Sequence, residues 1–245
     1  YEISLGLVGS EMCIRDRELA KKIRNVAGSD ISPLITIITI REAKRLEPNA
    51  PPPSLRLRAI ENLRSIGLKP QLFIRPVIPG VTDSEATELI SLALEYGVVS
   101  IVIGGFRVTQ RIIKRLEKAG VDTGKILMFT KGKIKGTRQI PLNIKDLRER
   151  IAKIAKEYNV IYHFHACCAC AYTHNVPCWN LCWIREGCTK CPNACWLKQI
   201  KLSENDIRDL LSYLNVRYSE IRVNESTVTL KLKRKWPQEL PVILS

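Results

Sequence analysis

From Glu18 onward the chain repeats one hydropathic unit: a short β-branched run, a polar turn, then an amphipathic stretch that stops at Gly or Asn. The runs Pro33–Ile40 (PLITIITI), Pro70–Val77 (PQLFIRPV), Val98–Ile103 (VVSIVI), Lys125–Phe129 (KILMF) and Val160–Phe164 predict strands. Between them, helical periodicity predicts helices over 54–66, 83–96, 108–119 and 144–158, with Gly67, Gly97, Gly120 and Asn159 as stops. Strands separated by helices cannot be joined by tight hairpins, so the pattern predicts an α/β fold with parallel strands. The sheet or barrel then carries its helices outside and its functional residues at the carboxyl ends of the strands. Those ends are Thr39, Arg75 to Gly80, Gly104 to Arg107 and the loop from Thr130.

Other local signals read as architecture. Pro51-Pro52-Pro53 before Ser54 predicts a stiff lead-in to a helix capped by Ser54. Gly104-Gly105 fits a tight strand-to-helix turn, with close backbone approach to a ligand as the alternative. Near the end of the chain, Ser203-Glu204-Asn205-Asp206 has capping-box-like spacing, and two strands are expected on either side of Asn224-Glu225-Ser226. The second of them, Thr227–Trp236, alternates apolar and basic residues and puts Lys231, Lys233 and Lys235 on one face. This tail predicts a small α+β appendage.

Composition changes the picture in two places. The 245 residues are 45% hydrophobic and 26% charged, as in an ordinary globular chain, and no apolar run approaches the roughly 20 residues that span a bilayer. With no export leader, the chain reads as cytoplasmic, with no membrane partner. At the start, Met12-Cys13-Ile14-Arg15-Asp16-Arg17 matches the in-frame translation of the transposon mosaic end used in sequencing libraries, so residues 1–17 are expected to be an artefactual leader. Setting them aside removes three acids and two bases, so the remainder carries +16 against +15 for the whole chain.

One linked series of residues resembles a known family. Ile35-Thr36-Ile37-Ile38-Thr39, Leu46-Glu47-Pro48-Asn49-Ala50-Pro51, Arg56-Leu57-Arg58-Ala59-Ile60, Gly67, and Pro76-Val77-Ile78-Pro79-Gly80 with Asp83 resemble the second half of a radical SAM core. The group typified by spore photoproduct lyase is the nearest in kind. The resemblance spans residues 35 to about 120 and implies the second half of a partial (β/α)6 radical SAM barrel over 18–162. A Cys/His-rich metal-cluster segment, 163–200, and the α+β tail, 201–245, would follow it.

In such proteins a four-iron four-sulfur cluster, fed by a ferredoxin- or flavodoxin-like electron donor, reductively cleaves S-adenosylmethionine. The resemblance thus implies S-adenosylmethionine as partner, with Thr39 and Arg75 as candidate contacts to it or to the substrate. A strand-end hydroxyl and an exposed arginine are the competing readings. The cluster needs C-x3-C-x2-C, which this chain lacks: Cys178 and Cys182 have the first spacing but Arg185 stands third, and Cys188, Cys191 and Cys195 have the order reversed. The motif is expected upstream, so the chain is read as an N-terminally truncated fragment that does not turn over by itself.

The cysteines carry the strongest signal independent of that resemblance. Eight of the nine lie from Cys167 to Cys195, and His163, His165 and His174 lie in or beside the same segment. Thiolates two to four positions apart can converge on one metal. Cytoplasmic disulfides are uncommon outside hyperthermophiles. Zinc favours paired C-x2-C knuckles, and only Cys188/Cys191 forms one. An auxiliary 4Fe-4S cluster is therefore preferred, on Cys182, Cys188, Cys191 and Cys195, with Cys178 as substitute ligand. Cys167, Cys170 and His174, together with Cys168, are candidates for a second site. Zinc is the alternative metal. Trp179, Trp183 and Trp196 interleave the cysteines and would shield a cluster or form a small core.

The basic excess concentrates in Lys131-Gly132-Lys133-Ile134-Lys135-Gly136-Thr137-Arg138, a loop of the kind that contacts phosphates. A nucleic-acid substrate and a merely solvated charged face both fit it. Two functions follow. One is a radical SAM enzyme fragment with an auxiliary cluster. The other is a non-catalytic zinc-stabilised nucleic-acid-binding protein.

Overall fold

A computed structural model of the chain describes residues 17–27, 31–176, 203–213, 215–224 and 228–233. The chain divides into two compact units, Tyr1–His174 and Asn175–Ser245.

In the first unit, helix α1 (Arg17–Ala27) precedes strand β1 (Leu34–Thr36). A single turn, α2 (Ala43–Leu46), and helix α3 (Pro53–Ser65) lead to β2 (Gln71–Ile74), and α4 (Ala86–Glu95) leads to β3 (Ser100–Ile103). The chain then makes an excursion: β4 (Arg107–Val108), α5 (Gln110–Lys118), α6 (Thr123–Leu127) and β5 (Ile140–Pro141). Helix α7 (Lys145–Glu157), β6 (Ile161–His163) and α8 (Ala166–His174) complete the unit. Strands pair in the order β1-β2-β3-β6, all parallel. Among the described residues this is a mixed α/β fold around a four-stranded parallel sheet, as the alternating pattern predicts.

The order never reverses. Because crossovers between parallel strands are right-handed, a sheet that grows in one direction carries its connecting helices on one face. Packing agrees. Ile35, Leu72, Ile74, Ile101 and Ile103 share one buried core with Leu57, Ile60 and Leu63 of α3, Leu89, Ile90 and Ala93 of α4, and Ile151, Ala152 and Ala155 of α7. Alternation along a strand sends Thr36, Gln71, Phe73, Ser100, Val102 and His163 to the other face. Helix α8 lies there: Gln71 Nε2 donates to the Ala169 carbonyl (2.8 Å) and to the Thr173 hydroxyl, and the His163 ring tilts against Tyr172 at 5.4 Å.

The helix stops are as expected, with positive φ at Gly67, Gly97, Gly120 and Asn159. Three expectations are corrected. Lys125–Phe129 is not a strand: Asp122 caps α6 by accepting from the Gly124 N–H at 3.0 Å, Lys125 to Leu127 wind in that helix, and Met128 and Phe129 form the turn that ends it. Ser54 does not cap α3, because Pro52 holds that position and Pro53, which has no N–H to satisfy, opens the helix. Strand β1 is also shorter than Pro33–Ile40, since the chain leaves the sheet after Ile37, whose N–H still reaches the Phe73 carbonyl.

In the second unit, α9 (Glu204–Tyr213) precedes an antiparallel pair, β7 (Tyr218–Val223) and β8 (Val228–Leu232). Ile207, Leu211 and Ile221 form its small core. The expected cap is present in full: the Ser203 Oγ accepts from the Asp206 N–H (3.2 Å), and Asp206 Oδ2 accepts from both the Ser203 N–H and its hydroxyl (2.7 Å each). Lys231 and Lys233 are exposed, as the alternation predicts, and Lys235 lies outside the described residues.

Candidate functional site

The carboxyl ends of the parallel strands hold two clusters. The first surrounds the loop after β1. Thr39 is fully buried; its hydroxyl donates to Glu85 Oε1 (2.9 Å) and accepts from the Glu42 N–H (3.1 Å). Glu85, 4% exposed, also accepts from the Ile40 and Arg41 N–H groups (2.6 and 3.2 Å) through Oε2. One carboxylate thus gathers the donors of a loop that has left the sheet and has no ladder to satisfy them. Beside it, a charged cleft of about 280 Å³ is lined by Arg41, Glu42, Arg45, Glu85, Asp122 and Lys125.

The residues that carry the family resemblance are tied together by structural contacts. Arg56 on α3, 1% exposed, donates to the Thr36 carbonyl at the end of β1 (2.7 Å) and to Glu47 Oε2 (2.8 Å). The Gly80 N–H donates to Asp83 Oδ1 at 2.6 Å, closing the turn after Pro79.

The second cluster lies where β2, β3 and β6 end. Arg75 follows β2 and is exposed, with its guanidinium 6.0 Å from the centre of the Phe73 ring. Its stem crosses Gly104: a β-carbon there would fall 2.6 Å from Cβ and Cγ of Arg75. The close approach at Gly104 is therefore to a side chain of the protein itself. Arg148, half-buried on α7, donates through Nε and Nη2 to the Ile103 carbonyl (3.2 and 3.0 Å) and through Nη2 to the Phe164 carbonyl (3.0 Å). Its guanidinium stacks 4.5 Å from the centre of the Phe164 ring. Burial, and then the positive charge of Arg75, hold the Arg148 pKa below the ordinary arginine value.

No family model, no curated protein and no solved structure matches this chain.

Of the metal-ligand candidates, Cys167, Cys170 and His174 are described; Cys178, Cys182, Cys188, Cys191 and Cys195, and the three tryptophans among them, lie outside the described residues. Helix α8 sets Cys167, Cys170 and His174 on one flank, with Cys170 exposed and Cys168 buried toward the sheet. At about 1.5 Å rise per residue, Cys167 and His174 stand roughly 10 Å apart along the axis, too far to share one ion. His174 Nε2 instead lies 2.8 Å from Ser32 Oγ. Among the described residues no three His, Cys, Asp or Glu side chains converge on a metal position. His163 is buried against Tyr172, and His165 is exposed just before the first residue of α8.

The basic loop is solvent-facing, with Lys131, Lys133, Lys135 and Arg138 all exposed. It follows a helix rather than a strand and feeds β5, which pairs with β4 just beyond the end of β3. Among the described residues no helix is long and apolar enough to cross a membrane.

Glu85 and Arg148 carry no motif in the sequence. Each acts on residues about 45 positions away, Thr39 and Ile103, and nothing in local periodicity marks such a partner.

Proposed function

We propose that this chain is the later half of a radical SAM barrel, joined to a cysteine-rich segment that holds an auxiliary iron–sulfur cluster. The observation that carries the reading is the unreversed order of the parallel strands. A doubly wound nucleotide-binding sheet reverses its order at a switch point and covers both faces with crossover helices. A sheet that grows one way with its crossover helices on one face is the arrangement that an arc of a barrel would have, here with helix α8 against the other face.

The chain lacks C-x3-C-x2-C, so its own residues do not fit the cluster that cleaves S-adenosylmethionine, and no turnover is assigned to it alone. For the auxiliary cluster the support is the donor chemistry: eight thiolates within one short segment suit iron. In the complete enzyme the strand ends near Thr39 and Arg75 would face S-adenosylmethionine or substrate, and a ferredoxin- or flavodoxin-like donor would supply the electron.

The competing reading, zinc-stabilised nucleic-acid binding, draws on the exposed basic loop. Anaerobic metal, sulfide and absorbance analysis of the isolated chain separates the two. Broad absorbance near ~400 nm with about four irons per chain is the expected result. Colourless protein with one or two zinc ions would overturn the cluster assignment.

A further inference from the structure

Two arginines stand against adjacent residues of the chain at the carboxyl ends of β2, β3 and β6: the stem of Arg75 lies against Gly104, and Arg148 donates to the carbonyl of the preceding Ile103. Neither Arg75 nor Arg148 enters an ion pair among the described residues, and each raises the electrostatic energy of the other. Arg148 is held rigidly by two backbone carbonyls and the Phe164 ring, and its Nη1 has no hydrogen-bond partner among the described residues. Arg75 is fixed at its base by lying across Gly104. Next to it, Gly105 offers open backbone: among the described residues a β-carbon there would meet nothing within 4 Å, and its N–H makes no backbone hydrogen bond. Ligands of parallel α/β sheets bind just outside the carboxyl ends of the strands, which is where these groups stand.

We propose that Arg75, Arg148 and the Gly105 backbone form a binding site for a phosphate group. The charge count decides the ligand class. Two fixed cations match a phosphate near −2, whereas a carboxylate would neutralise one and leave the other facing it. Arg75 comes from the face that carries Phe73 and Arg148 from the helix face, so a tetrahedral oxyanion bound over the strand ends would meet one forked donor from each side. The site uses none of the cysteines, so it stands or falls apart from the auxiliary cluster, and it would give a chemical class to what the strand end at Arg75 faces in the proposed enzyme.

The test is a titration of the full chain, selectively labelled with 15N-glycine, with inorganic phosphate at constant ionic strength. Saturable shifts of the Gly104 and Gly105 amides are expected, with acetate at least about ten-fold weaker. Arg75→Gln, at an exposed side chain with no hydrogen bond to lose, should weaken phosphate at least about ten-fold. Gly104→Ala displaces the root of the Arg75 side chain, and with it the strand-end backbone that carries it, without changing charge, and should weaken the shift at Gly105 in the same way.

Unmoved glycine amides, or an Arg75→Gln chain that titrates like the parent, would overturn the site. Equal binding of acetate would overturn the phosphate assignment. Adenosine monophosphate that binds more tightly than inorganic phosphate places the group on a nucleotide; equal affinity identifies free phosphate.

Discussion

The Arg56–Glu47 pair allows a quantitative test of how the first unit is held together. Arg56 is 1% exposed, and its guanidinium is shared between the Thr36 carbonyl and Glu47, which is itself 20% exposed. Removing one partner of a buried ion pair leaves an uncompensated charge and costs about 3–5 kcal/mol. Water reaches the exposed part of Glu47, so Glu47→Ala should sit near the low end, about 3 kcal/mol. Arg56→Met removes the charge and keeps most of the volume. It leaves the Thr36 carbonyl unpaired, and the loss should be about 1–3 kcal/mol. The double variant strands no charge, so its cost should fall short of the sum of the singles by about 2 kcal/mol. Urea unfolding followed by far-ultraviolet circular dichroism reads all three, and Glu47→Ala should lower the melting temperature by about 6 to 12 °C. A Glu47→Ala loss under about 1 kcal/mol, or strict additivity, would refute a buried, coupled pair.

Other substitutions probe single contacts. Glu85→Ala releases three donors at once and should cost about 3 kcal/mol, with faster hydrogen exchange at the Ile40 and Arg41 amides; unchanged exchange there would remove Glu85 as the organiser of the loop. Thr109→Ala deletes the side-chain acceptor of the Ile112 N–H at the start of α5 and should cost about 1 kcal/mol in urea unfolding. Asp206 is held below the usual carboxylate range first by the Ser203 hydroxyl and then by the Ser203 N–H. A depressed folded-state pKa stabilises above the unfolded value, and the benefit fades as pH falls through the folded value. Ser203→Ala should therefore move the Asp206 carboxyl titration, read by 13C NMR, upward toward the ordinary range; an unmoved titration would show that the hydroxyl is not the cause.

What the sequence disclosed and what it hid divide along physical lines. Parallel order and helix stops were legible because they rest on local rules: β-branched runs separated by amphipathic segments, and Gly or Asn where the chain must turn left-handed. Lys125–Phe129 misled because four consecutive apolar residues carry no period that separates a strand from a short helical turn. Asp122, two residues before Gly124, was the readable sign of a helix start. The cap at Ser203 was legible for the same local reason. The links from Glu85 to Thr39 and from Arg148 to Ile103 join distant parts of the chain, and only the assembled sheet brings them together. Thr39 was chosen as a strand-end hydroxyl free to meet a ligand, yet both its donor and an acceptor position are used within the loop.

The pairing of β1 has a consequence for how the protein behaves in concentrated solution. The Pro33 carbonyl and the Ile37 N–H reach β2, so the intervening Leu34 and Thr36 turn their backbone groups away from the sheet. Among the described residues no strand pairs with this side of β1, and a row of such groups invites a strand from a neighbouring molecule. Here the row is only two residues long, and the guanidinium of Arg56 already occupies the Thr36 carbonyl. The same side chain that anchors α3 therefore blunts the rim of the sheet. Losing it would expose a sticky margin as well as loosen the interior, and Arg56 variants should self-associate more readily than their stability alone accounts for.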